Sequence, residues 1–132
     1  SRGLGDVYKR QDFHFVPMND VLFDLQRKII LDAAEKEDCV IVGRCANLIL
    51  DNKCLSVFIH APFEYRVQTV IERTGREEKS AQKLVKKVDK ERRTYYEYFT
   101  DKKWKDISQY HLAFDSSKFE QDKIIQMIKM AL

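Results

Sequence analysis

Two short apolar runs, each closed by a turn signal and flanked by helical patterns, limit what this chain can become. Residues 39–42 end at Gly43, and residues 55–59 end just before Ala61-Pro62. Runs this short, without regular polar alternation, belong to strands buried on both faces, the habit of parallel sheets covered by helices. Residues 110–115 are a third candidate strand. Between and around them lie helical patterns. Asn19 or Asp20 can cap a helix in which Leu22, Leu25, Ile29 and Ala33 recur on one face up to about Glu37. Phe63, Val67, Val70 and Ile71 mark a second helix, with Pro62 at its first turn. A long basic helix follows Ser80, and Ile124, Met127, Ile128 and Ala131 share one face of a last one. Residues 46–50 read as a short helix between the first two strands. This alternation is that of an α/β domain with an open parallel sheet, in which function gathers at the C-terminal ends of the strands. Those ends carry Gly43-Arg44, His60-Ala61-Pro62 and Asp115-Ser116-Ser117.

The 132 residues allow one domain. The first eleven show neither helical nor strand periodicity, resemble translated adapter sequence, and are read as an extraneous or disordered leader; the native domain is expected over residues 12–132. No apolar run reaches the length of a membrane span, so no membrane partner and a cytoplasmic location are expected. Cys39, Cys45 and Cys54 lack C-x-x-C spacing, and His14, His60 and His111 lie far apart. No metal site or disulfide framework is indicated, and buried free thiols are expected.

Charge is unevenly distributed. Residues 66–93 hold ten cations against five anions, a local +5 that leaves −2 for the remainder of a chain whose total is +3. Such a field suits a polyphosphate ligand, and it is also what a solvated helix face looks like. Within it, Arg66 and Arg73 are seven residues apart, hence on roughly one helix face, where cations can meet the charge that spreads over a transferring phosphoryl group. Asp89 and Arg92 are three apart and can pair with each other. Gly43 permits a sharp turn directly after an apolar run, and Arg44 next to it can grip a phosphate with its planar fork or pair with a nearby carboxylate. None of Gly3, Gly5, Gly43 and Gly75 is followed by Lys-Ser or Lys-Thr, so the chain contains no G-x-x-x-x-G-K-[ST] phosphate loop.

Taken in order, Val40-Ile41-Val42-Gly43-Arg44-Cys45-Ala46, Ser56-Val57-Phe58-Ile59, Pro62-Phe63-Glu64-Tyr65-Arg66, Val88-Asp89-Lys90-Glu91-Arg92, Tyr95-Tyr96, Trp104 and Phe114-Asp115-Ser116-Ser117 resemble the cytidylate kinase-like family from about Asp12 onward. The resemblance implies a three-layer parallel sheet of the P-loop nucleoside monophosphate kinase type, here incomplete, with the first two strands and the phosphate loop absent. It implies a parent enzyme that moves a phosphoryl group from ATP, with Mg²⁺, to a nucleoside monophosphate of the CMP kind, and a fragment inactive without its phosphate loop. Gly43, Arg44, Asp89 and Arg92 would then bind the acceptor, and Arg66 and Arg73 would act on the transferring phosphates. Cys45 stands where true cytidylate kinases carry aspartate, which leaves the acceptor base open. Because the phosphate-loop strand of such kinases lies mid-sheet, residues 56–59 are expected to pair in parallel with 110–115, leaving 39–42 without a direct partner. The alternative is a noncatalytic nucleotide- or RNA-binding α/β module. Against nucleic acid as a partner, the basic stretch has no interleaved aromatics for stacking single-stranded bases.

Overall fold

The computed structural model describes residues 15–132, with side chains from residue 20 onward; the leader assigned to residues 1–11 lies outside them. Five helices and two strands follow in the order α1 (Phe15–Lys36), α2 (Ala46–Leu50), β1 (Val57–His60), α3 (Phe63–Thr74), α4 (Glu78–Thr100), β2 (Leu112–Asp115) and α5 (Gln121–Met130). They divide between two compact units, one of residues up to Cys54 together with Glu91–Trp104, the other of Leu55–Lys90 with Lys105–Leu132.

In the second unit, β1 and β2 form a parallel pair in the register Val57↔Leu112 to His60↔Asp115. This is the pairing expected from sequence. The ladder is extended at one end by the Ser56 carbonyl, which accepts from the amides of His111 and Leu112, and at the other by the Ser116 amide donating to the His60 carbonyl at 2.9 Å. Ser56 is itself buried, and its amide donates to His111 Nδ1 at 2.9 Å, so the start of the strand leaves no buried polar group idle. The connection between the strands carries a helical hairpin. Gly75 ends α3 in the left-handed region (φ 72°) and donates to the Ile71 carbonyl at 2.8 Å, a glycine C-terminal stop. The chain then turns into α4, and Val67, Ala81 and Val85 close over one another, with Phe63, Val70 and Ile71 around them.

The first unit is held by two apolar clusters. Ile30, Ala46 and Leu50 form one, and Cys45, Tyr95 and Tyr96 the other, with Ile49 packed against both. The face that α1 buries is not the one its periodicity marks. Leu22, Leu25 and Ile29 are 37%, 50% and 67% exposed, whereas Phe23, Ile30, Leu31 and Ala34 pack inward. Helix α1 carries apolar residues on two sides, and the side that docks is the one with an aromatic partner: Phe23 stacks on Phe99 with centroids 4.2 Å apart.

Residues 39–42 form no ladder, as expected of a segment left without a direct partner, and among the described residues the sheet has two strands. A strand is defined by a neighbour to bond with, and none of the described backbone lies alongside this segment in a ladder. It keeps the alternation of a strand even so: Ile41 packs against the Ile30 cluster, while Val40 and Val42 point outward at 92% and 87% exposure.

The thiols also differ from one another. Cys39 is exposed, Cys54 half-buried and Cys45 buried at 3%, all free, so the expectation of buried thiols holds fully only for Cys45. Burial pushes the Cys45 thiol up to about 12 from an ordinary 9.0. A raised acid favours the protonated, folded state. The stabilisation it brings is complete below the unfolded value and is lost as pH climbs through the interval from 9.0 to about 12. At pH 8 a disulfide reagent such as Ellman's should therefore label Cys39 first and leave Cys45 unmodified until denaturant is added, when all three thiols react. Rapid labelling of Cys45 in the native protein would contradict the packing described.

Candidate functional site

The segment that carries Gly43 and Arg44 is a tight left-handed turn. Gly43, Arg44 and Cys45 have φ of 71°, 61° and 59° in succession. Glycine takes this region freely, but each non-glycine residue there costs roughly 1 to 2 kcal/mol. The Ala46 amide donates to the Gly43 carbonyl at 3.2 Å, and the amides of Leu48 and Ile49 both donate to the Cys45 carbonyl at 3.0 Å, so the turn runs straight into α2. Cys45 is buried against Tyr95 and Tyr96, while Arg44 stays exposed with its guanidinium close to the Tyr95 phenol.

The tyrosines that receive Cys45 are fixed from outside the turn. Gln26 Nε2 donates to the Tyr95 hydroxyl at 2.7 Å, and Asn47 Nδ2 to that of Tyr96 at 3.1 Å. Burial raises the Tyr95 phenol, opposed by the Gln26 hydrogen bond and by the Arg44 guanidinium close to it. Arg44 forms no ion pair among the described residues, so the reading of it as the partner of a loop carboxylate finds no such carboxylate there. Arg92 lies in this same unit, exposed on α4.

In the other unit the charged residue that matters most is Arg66. One nitrogen, Nη1, donates to both carboxylate oxygens of Asp89 at 2.9 Å, and Nε donates to the Ala61 carbonyl at 3.0 Å. Arg66 and Asp89 side chains are 31% and 16% exposed. Three elements meet at this point: the residue just beyond β1, helix α3 and helix α4. The second terminal nitrogen, Nη2, keeps its hydrogens unused among the described residues. Asp89 thus gives both oxygens to a residue 23 positions earlier rather than to Arg92, three positions later. The sequence did carry a signal for this. A stop at Gly75 makes α3 and α4 a hairpin, with Arg66 about two turns before the break and Asp89 about three turns after it.

Arg73 is exposed near the end of α3 without an ion pair among the described residues, and Arg76 donates from Nη1 to the Ser80 hydroxyl at 2.9 Å. At the end of β2, Asp115 Oδ1 accepts from the Ser117 hydroxyl at 2.6 Å and from its amide at 2.9 Å. These bonds hold its carboxyl below the ordinary value of 3.8. Sequence reasoning noted Asp115-Ser116-Ser117 as a strand end but assigned it no role; locally it is a self-satisfied turn. Among the described residues no group of three His, Cys, Asp or Glu side chains is placed to hold a metal ion. No described helix is long and apolar enough to cross a membrane.

The geometry has close counterparts. A crystal structure of an uncharacterized protein from Eubacterium ventriosum superposes with a TM-score of 0.65 at 35% identity, covering 82% of this chain and 63% of that one. The cytidylate kinase of Methanococcoides burtonii is 30% identical over 88% of this chain and 65% of its own length, and that of Pyrococcus furiosus 30% identical over 77% and 53%. The cytidylate kinase of Methanopyrus kandleri is 25% identical over 76% of this chain and 58% of its own length. The chain thus spans between about half and two thirds of the length of these curated relatives. Residues 4–118 match the model of the cytidylate kinase-like family, most of the chain, and the chain therefore belongs to the cytidylate kinase-like family.

Proposed function

We propose that the chain is part of an enzyme that transfers a phosphoryl group from ATP to a nucleoside monophosphate, with a CMP-like acceptor, on a three-layer parallel sheet of the P-loop kinase type. The observation that carries this reading is Arg44: an exposed guanidinium without an ion pair among the described residues, presented by a strained turn directly after an apolar segment, in a family whose named relatives are cytidylate kinases. Phosphoryl transfer asks little covalent chemistry of a protein, and positioned cations supply most of what it contributes.

In this reading Gly43 sets the turn, and Arg44 holds the acceptor's phosphate through its planar fork. Arg66 faces the transferring phosphates with Nη2, the nitrogen its partners leave open, and Arg73 adds a second cation from the same helix. Asp89 takes part by fixing Arg66, since its oxygens are already engaged there, and Arg92 is left to meet the acceptor. Mg²⁺ belongs to the ATP substrate and arrives with it, as the described residues offer no metal cluster of their own.

Two outcomes test the proposal. The chain alone has no phosphate loop to cradle the β- and γ-phosphates, so with ATP, Mg²⁺ and any nucleoside monophosphate it should show no turnover. Turnover at ordinary kinase rates, roughly 1 to 100 per second, would refute the assignment of that role to an absent loop. In a kinase reconstituted with a phosphate-loop segment, Arg44→Ala should lower acceptor kcat/KM by about tenfold to more than a hundredfold, the equivalent of about 1.5 to 3 kcal/mol, with KM for ATP unchanged. Unchanged acceptor kinetics would remove Arg44 from the site.

A further inference from the structure

Helix α4 has a second face that the kinase reading does not use. Lys79, Lys83, Lys86, Lys87 and Lys90 are all exposed. At 3.6 residues per turn they fall within an arc of roughly 100°. Ala81 and Val85, the residues α4 buries, lie on the opposite side. Within this stretch of the helix the carboxylates Glu78 and Asp89 fall outside the arc, and Asp89 is engaged by Arg66. None of the five lysines forms an ion pair among the described residues; one, Lys86, rests over the Phe63 ring at 5.8 Å. Lys79, Lys83 and Lys87 also line, with Arg76, Ser80 and Leu84, an open groove of about 450 Å³.

Like charges spaced three and four apart destabilise a helix. Five on one arc, with no ion pair among the described residues and Glu91, four positions after Lys87, the one carboxylate near its edge, make a surface whose complement is a row of anions. The row extends about 16 Å along the axis, longer than a single phosphate needs and suited to a repeating one. Residues 79–90 contain no aromatic side chain, which argues against stacking of single-stranded bases. The arc itself is lysine throughout, without the Arg, Asn and Gln side chains that read base edges, and Arg76 beside it in the groove is engaged by the Ser80 hydroxyl. A membrane surface is a poor match as well, because an interfacial helix inserts its apolar face, and here that face is buried in the hairpin. A duplex backbone requires neither stacking nor insertion.

We propose that the lysine face of α4 binds the phosphate backbone of double-stranded nucleic acid without sequence preference. The expectation from sequence that nucleic acid is not a partner rested on the missing aromatics, and that argument applies to single strands alone. The inference does not depend on the kinase reading: it concerns a different set of side chains.

Fluorescence anisotropy of the full chain with a labelled DNA duplex of about two helical turns, from about 50 to about 200 mM NaCl, tests it. Each lysine–phosphate contact contributes about −0.9 to the slope of log K against log salt, so five give a slope of about −4.5. The triple variant Lys79→Gln, Lys83→Gln, Lys87→Gln should lose more than half of that slope and bind at least about tenfold more weakly at the lower salt. A charge-matched variant elsewhere, Lys28→Gln, Lys36→Gln, Lys129→Gln, should bind within about twofold of the parent. The lysines are exposed and glutamine is a good helix former, and a single Lys83→Glu substitution, expected to weaken binding in the same direction, guards against a triple variant that fails to fold. Absence of saturable duplex binding at the lower salt, equal loss in both triple variants, or binding to phosphatidylserine vesicles but not to duplex would each overturn the proposal.

Discussion

Arg66 is the residue through which the strand-bearing unit is tied together. Its guanidinium holds the carbonyl that follows β1, rises from α3, and closes on a carboxylate of α4 23 positions later, so one side chain ties three elements together. The apolar hairpin core of Val67, Ala81 and Val85 supplies non-directional attraction, but nothing in three small side chains fixes rotation or register. A charge-assisted contact with two acceptors at 2.9 Å does. The pair is only partly buried, so its strength comes with little of the desolvation penalty that a fully enclosed pair carries. It also explains why a cation and an anion that read separately as ligand-binding groups serve each other first.

The other unit stores its constraint in the backbone. In its turn, Arg44 and Cys45 in the left-handed region cost together roughly 2 to 4 kcal/mol. Part of this is offset by placing Cys45 among Tyr95, Tyr96 and Phe99, whose aromatic edges are themselves ordered by Phe23 and by the Gln26 and Asn47 hydrogen bonds. Strain of this kind persists only where the surroundings over-determine it. The consequence is an exposed arginine whose place in the turn is set by the packing of the next residue.

Much of this was legible in the sequence. The helices, the parallel pairing of β1 with β2 and the family followed from local pattern or from the order of short motifs. What failed depended on partners. Residues 39–42 lack a strand partner, as expected, but the run that reads as buried on both faces leaves Val40 and Val42 exposed, because no described backbone lies beside it in a ladder. Leu22, Leu25 and Ile29 have helical spacing, yet which of two apolar sides a helix buries is decided by what packs against it. Asp89 has Arg92 as its nearest cation in sequence, but the hairpin brings it to Arg66. The lysine face of α4 was visible as net charge but not as a face until the buried side of the helix was known.

The Arg66–Asp89 contact, and not the apolar hairpin alone, fixes α3 against α4. A double-mutant cycle measures it directly, with Arg66→Gln, Asp89→Asn and the pair compared by urea unfolding. A coupling of about 1 to 3 kcal/mol is expected, because either single change leaves a partly buried charge without its partner while the double change removes both. Additive effects, with coupling indistinguishable from zero, would contradict the account.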